Sequence, residues 1–152
     1  MILQGFIDFG ETAQGHVFRD FAALEASVRL TCCNVVNLSA LQRAADRAVS
    51  VSSLGDHIEY RAVDQITTNH DLEETLRMSM QIRRAALDAV GDKSSAASLK
   101  EYLFALVFHM LRYAMGKADE VSPDEAPEIR RSRVWHALYS AATAAQRVKD
   151  LP

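Results

Sequence analysis

Cysteine is scarce in this chain of 152 residues, which contains only Cys32 and Cys33. Neighbouring cysteines rarely close a disulfide, because the small ring they would form is strained. The sequence therefore offers no covalent cross-link and fits a reducing cytosol. A basic surplus is also missing: 17 Lys and Arg stand against 20 Asp and Glu, a formal net charge of −3. That removes the global electrostatic case for a nucleic-acid or anionic-membrane partner. No apolar run reaches the roughly eighteen residues a bilayer span requires, and no basic segment followed by an apolar one opens the chain. A soluble, cytoplasmic protein is the expectation. Several chemistries lack their signatures as well. The five histidines, His16, His57, His70, His109 and His136, show no two-histidine helical spacing of the zinc-protease kind. There is no nucleophile elbow and no Gly-Lys-Ser phosphate loop.

What is present is enough apolar residue, 49% against 24% charged, to build one compact domain over residues 1–152. Residues 1–9 are apolar with β-branched Ile2 and Ile7 and end at Gly10, which reads as a short strand or extended segment followed by a loop to residue 15. Helices are expected at about 17–33, 39–49, 71–90, 98–116 and 127–149. In the first, Val17, Phe21, Leu24 and Val28 recur at steps of three and four. Ser39 is placed to cap the second. Asp71 with Glu74, and Ser98 with Glu101, have capping-box spacing. Gly91 and Gly116 stand where the third and fourth helices would stop. Pro127 suits the first turn of the last helix, whose stripe is Val134, Leu138, Ala141, Ala145 and Val148. The fourth helix is apolar on most sides, which places it in the middle of a bundle. The segment between Ser50 and Asn69 shows no clear period. The fold class is thus mainly α, five to six packed helices behind a short N-terminal strand or extended segment.

The stretch GFIDFGETAQGHVFRDFAALE carries the most chemical information. A strand delivers Asp8 to Gly10, where the carboxylate is fixed and a ligand can approach the backbone. Hard cations such as magnesium take such oxygen ligands together with substrate phosphates. An aspartate before a turn also serves simply as a turn or cap residue. The longer stretch FIDFGETAQGHVFRDFAALEASVRL resembles the segment after the catalytic loop in kinase-like phosphotransferases of the aminoglycoside phosphotransferase and choline kinase group. It is similar in particular to bacterial ternary complex associated domains. Glu101-Tyr102 opening a long apolar helix, and an Arg- and Ala-rich last helix, resemble the distal helical part of those proteins. The resemblance implies that Asp8 binds magnesium beside nucleotide phosphates. It implies that Asp20 braces the catalytic loop by accepting backbone hydrogen bonds, that Gly10 and Glu11 shape the loop, and that His16 shapes the loop or caps the helix.

The family's nucleotide lobe and its catalytic loop should precede Asp8, and only seven residues do. The expectation is a phosphotransferase-like fragment, incomplete as a catalyst alone, whose partners are a missing N-terminal lobe, a partner chain or a second copy. The alternative is a non-catalytic helical interaction module of a bacterial conflict or signalling system. Blander readings cover the other candidates. Cys32 and Cys33 are small buried hydrophobes at a helix end, where the helix dipole disfavours a thiolate. His109 is a core or boundary histidine. Arg83, Arg84, Arg130, Arg131 and Arg133 form either a basic patch or solvated helix faces paired with acids.

Overall fold

The computed structural model describes residues 14–56, 70–91, 96–119 and 125–152. Among the described residues the chain is helical: α1 (Gln14–Thr31), α2 (Leu38–Val49), α3 (His70–Val90), α4 (Ala96–Asp119) and α5 (Pro127–Asp150). The N-terminal strand read from the sequence lies outside these residues, as does 57–69. The part of the aperiodic segment that is described, 50–56, is a turn. There the Asp56 carboxylate accepts from the backbone N–H groups of Ser52 and Ser53 at 2.9 and 2.7 Å.

Local chemistry sets the helix ends, with some corrections to the expected caps. Asn37 rather than Ser39 caps α2, its Oδ1 accepting from the Ala40 N–H at 3.1 Å. A cap residue must be extended and must reach the third N–H of the helix, and Asn37 meets both conditions. Asp71 sits inside the first turn of α3 rather than before it, and Glu74 pairs forward with Arg77 instead of folding back. Gly91 ends α3 with a φ of 66°, a left-handed position that suits glycine. Gly116, by contrast, does not stop α4, which continues to Asp119. One glycine costs a helix about 1 kcal/mol, too little to break a packed one. Pro127 occupies the first turn of α5 as expected.

The helices close a ring, in which α1 packs on α4, α4 on α5, α5 on α2, α2 on α3 and α3 back on α1, while α1 also touches α5 across it. Lys100 Nζ donates to the Leu151 carbonyl at 3.2 Å, tying the start of α4 to the end of α5 in an antiparallel pair. α1 and α4 also run antiparallel, since Glu25 meets Tyr102 while Arg19 lies over Phe108. A larger apolar cluster, including Phe18, Leu30, Tyr102, Leu106 and Met110, fills the α1, α3, α4 and α5 side. A smaller one of Cys33, Val35, Leu41, Ala44, Leu72 and Leu76 lies between α2 and α3 and is flanked by Trp135.

The buried faces of two helices differ from those the apolar periodicity indicates. On α1, Phe18, Ala22, Glu25, Ala26, Arg29 and Leu30 are buried, as is Val28 of the expected stripe, whereas Leu24 is exposed and Val17 and Phe21 are half-buried. On α5 the interior side carries Ser132, His136, Ala137, Ser140, Ala141 and Ala144, while Leu138 is exposed. In both helices polar side chains on the inward face turn the true stripe by roughly one residue, about 100°. α4 corrects the sequence reading in the opposite sense: it is apolar nearly all round, yet one of its faces looks outward.

Candidate functional site

Two features stand apart from ordinary packing. One is a polar network at the centre of the ring. Glu25 of α1 is fully buried and accepts from Arg83 of α3 through both oxygens, Nε at 2.8 Å and Nη2 at 2.7 Å. Such a planar, two-pronged pair matches guanidinium to carboxylate geometry. Tyr102 of α4 donates its hydroxyl to the same carboxylate at 2.8 Å. Arg83 Nη1 donates to the Ala48 carbonyl at 2.6 Å, near the C-terminal end of α2, where helix carbonyls lack intrahelical partners. One turn along α1, Arg29 Nη2 donates to Ser140 Oγ of α5 at 2.9 Å and approaches His136 Nε2 at 3.4 Å. Its Nη1 lies 3.5 Å from Glu25 Oε1. Every helix of the ring thus contributes an atom.

Burial and charge act against each other in this network. Desolvation pushes the Glu25 carboxyl up, but the charges of Arg83 and Arg29 and the hydrogen bonds from Arg83 and Tyr102 outweigh it, so its pKa is lowered. Arg83 also loses by burial and regains more from Glu25, ending with a stronger hold on its proton. Arg29 is the weaker partner: burial and the neighbouring Arg83 charge together exceed its attraction to Glu25, and its pKa falls. The Tyr102 hydroxyl is held well above its ordinary range by burial and then by the adjacent carboxylate. His136 is pushed down to about 3, first by burial and then by the Arg29 charge, so it is neutral near pH 7. Because a guanidinium only donates, the His136 nitrogen facing it must accept, which leaves the proton on Nδ1. Nδ1 has no hydrogen-bond partner among the described residues. The network holds one carboxylate and two guanidinium groups, all sealed from solvent. It ties the helices to one another.

The arginines that read as a basic patch do not assemble one. Arg83 is interior, and Arg133 of α5 donates to the Thr31 carbonyl at 3.0 Å and to Asn34 Oδ1 at 2.7 Å while pairing with Glu125. It closes the C-terminal end of α1, where carbonyls are unpaired and a positive charge is favoured. Arg147 does similar duty at the Val51 carbonyl, at 2.9 Å. Arg131 pairs with Glu128 on the surface.

The second feature is the outward face of α4. Phe104 is 70% exposed, Phe108 51%, Leu111 41% and Met115 74%. Steps of four, three and four residues align them along one stripe, the spacing of a coiled-coil seam. Arg19 of α1 lies over the Phe108 ring with its guanidinium carbon 5.8 Å from the centroid. His109 meets the same ring edge-on at 5.4 Å. The opposite side of α4, Leu99, Tyr102, Leu103, Leu106, Met110 and Ala114, is the core face.

Of the residues singled out in the sequence, Asp8, Gly10 and Glu11 lie outside the described residues, and His16 is described only by its backbone in the first turn of α1. Asp20 is half-buried on α1 near His109, whose pKa it raises against the stronger lowering by burial and by Arg19 and Arg112. His109 is a half-buried boundary residue whose Nε2 finds no hydrogen-bond partner among the described residues. Cys33 is buried, with its thiol pushed up by desolvation, but Cys32 is exposed beyond the end of α1. Among the described residues no three His, Cys, Asp or Glu side chains converge as a metal centre would require, and no helix is long and apolar enough to cross a membrane.

Sequence reasoning missed the central network. The available signal was the spacing Phe18, Ala22, Glu25, Arg29 on α1, a seam pattern with an opposite-charge pair in two of its places, matched by His136 and Ser140 four residues apart on α5. Comparison with known proteins adds no assignment: no protein-family model, curated protein or solved structure matches the chain.

Proposed function

We propose that this chain is a non-catalytic helical interaction module that recruits a protein partner through the outward face of α4. The observation that carries this reading is the exposed stripe of Phe104, Phe108, Leu111 and Met115, two aromatic rings among them, on a helix whose other side is fully packed. Large apolar side chains aligned on a surface are characteristic of protein contact sites, whereas singly scattered ones need no explanation. The buried polar groups Glu25, Arg83, Tyr102, Arg29 and Ser140 are meanwhile engaged with one another in the interior. A photo-crosslinking amino acid placed at Phe104, compared in cells with the same group at exposed Lys149, tests the reading. Discrete adducts from position 104, identified by mass spectrometry and missing from position 149, are the expected result. No adduct from position 104 would refute it.

A second reading, a domain of the kinase-like phosphotransferase type, draws support from α1. The helix begins at Gln14, takes in Gly15 and His16 of the stretch that carries the resemblance, and places Asp20 in the same helix. In this reading Asp8 supplies a magnesium ligand within a larger assembly. Calorimetric titration with Mg-ATP, repeated on Asp8→Asn, separates it from the first. Heat that vanishes in the variant supports the phosphotransferase reading, and heat that the variant retains removes Asp8 from the site.

A further inference from the structure

We infer that the partner on α4 is a second copy of this chain, bound antiparallel across a twofold axis near residue 106; the inference rests on the interaction-module reading above. The argument comes from charge placement along the stripe. Glu101 and Arg112, both exposed, lie on the same flank of the apolar row, within about 60° of Phe108 around the helix axis. They stand at opposite ends of it, separated by eleven positions, about 16 Å at the α-helical rise. An antiparallel pair centred at 106 sets residue i level with residue 212 − i of the other copy. Phe104 then meets Phe108, Glu101 comes within one position of Arg112, and Met115 falls over the small, exposed Ala97.

A twofold axis of this kind also keeps each flank facing the like flank of its mate, so both Glu101–Arg112 contacts form at once. The interface is self-complementary in size and in charge. A parallel pairing sets Glu101 level with Glu101 and leaves both ion pairs unmade, so the charges select the antiparallel orientation. The four apolar side chains expose roughly 400 Å² per copy, about half of what one partner contributes to a standard interface. With the flanking stems of Glu101, Arg112 and Arg19 added, this is the footprint of a reversible dimer.

Sedimentation velocity on the full chain, from about 1 to 500 μM, is the direct test. The expected result is a concentration-dependent shift from one chain mass to two. Phe104→Glu with Met115→Glu should hold the protein at one chain mass while leaving its thermal midpoint in place at dilutions where the parent chain is itself a single copy, since both residues are exposed. Glu101→Arg alone should weaken association about tenfold, and adding Arg112→Glu should restore most of it. A single chain mass throughout the range overturns the inference, as does a dimer indifferent to the double glutamate variant. Failure of the charge swap to restore association overturns the antiparallel arrangement. A monomer whose position-104 crosslinks lead only to other proteins overturns the second copy and leaves the module standing, whereas the loss of every crosslink removes both.

Discussion

Replacing Glu25 with glutamine preserves the shape of the side chain and removes the one negative charge of the central network. Both oxygens of Glu25 accept from Arg83 at 2.8 and 2.7 Å, one of them also takes the Tyr102 hydroxyl at 2.8 Å, and Arg29 approaches at 3.5 Å. The amide would keep one acceptor oxygen but turn an NH2 group toward Arg83, which can only donate. Two guanidinium charges would then remain buried with no counter-charge. Removing one member of a buried ion pair costs about 3–5 kcal/mol, much of it from the stranded partner rather than from the lost contact. Against a typical domain stability of about 5–15 kcal/mol this is roughly a fifth of the total or more. For a domain of this size it corresponds to a fall of roughly 6–20 °C in thermal midpoint.

Urea unfolding followed by the helical circular dichroism signal measures the change directly, with an unaltered slope expected because the buried surface is the same. The companion variant replaces Glu25 with leucine and Arg29 and Arg83 with methionine. It should recover most of the loss, because an apolar substitute for a whole buried ionic cluster is often neutral or stabilising by about 1–4 kcal/mol. A cost below about 1 kcal/mol for Glu25→Gln would mean that water solvates the carboxylate and would refute the reasoning. So would a triple variant no more stable than the single one.

Acid should destabilise the fold through His136, whose pKa is lowered to about 3 in the folded chain. The unfolded chain binds the proton first, so stability falls as pH drops from about 6.5, by up to about 1.4 kcal/mol per pH unit. His136→Gln should flatten that slope between pH 5 and 6.5, above the range in which Glu25 titrates, leaving a smaller slope from His109. The two helical-region glycines should respond oppositely to alanine. Neither site has an atom within 4 Å of an added Cβ, but Gly91 has a φ of 66° and Gly116 is helical. Equilibrium unfolding should show Gly91→Ala losing about 1 kcal/mol and Gly116→Ala gaining about 0.5–1 kcal/mol. A thiol reagent under native conditions should modify exposed Cys32 rapidly and buried Cys33 only on unfolding, with a Cys32→Ser variant giving no fast phase. Arg133→Met should cost about 1–3 kcal/mol in urea unfolding, because the Thr31 carbonyl and Glu125 lose their shared donor.

Apolar period, Gly91 and Pro127 were sufficient to read five helices and most of their limits from the sequence, because those signals are local and each acts through one turn of backbone. The orientation of α1 and α5 was not legible in the same way. Glu25, Arg29, His136 and Ser140 count as solvent-facing in any hydrophobic pattern, and only their pairing across different helices makes their burial tolerable. That pairing spans more than fifty residues between Glu25 and Arg83, beyond the reach of any window. The outward face of α4 failed for the complementary reason. Phe104, Phe108 and Met115 look like interior residues by type, and nothing in a single helix says which of two apolar sides the neighbouring helices will leave uncovered. Asp8, on which the reading of magnesium chemistry depends, lies outside the described residues.

The meeting of every helix at one carboxylate and its guanidinium neighbours has a consequence for assembly. A subset of helices that docks without Arg83 encloses Glu25 bare, and one that lacks α1 encloses Arg83 bare, so incomplete bundles carry an electrostatic penalty that the finished ring does not. Partial structures are thereby disfavoured at each step short of closure. The transition should be a single sharp event, in which no helix pair persists once its ionic counterpart has gone.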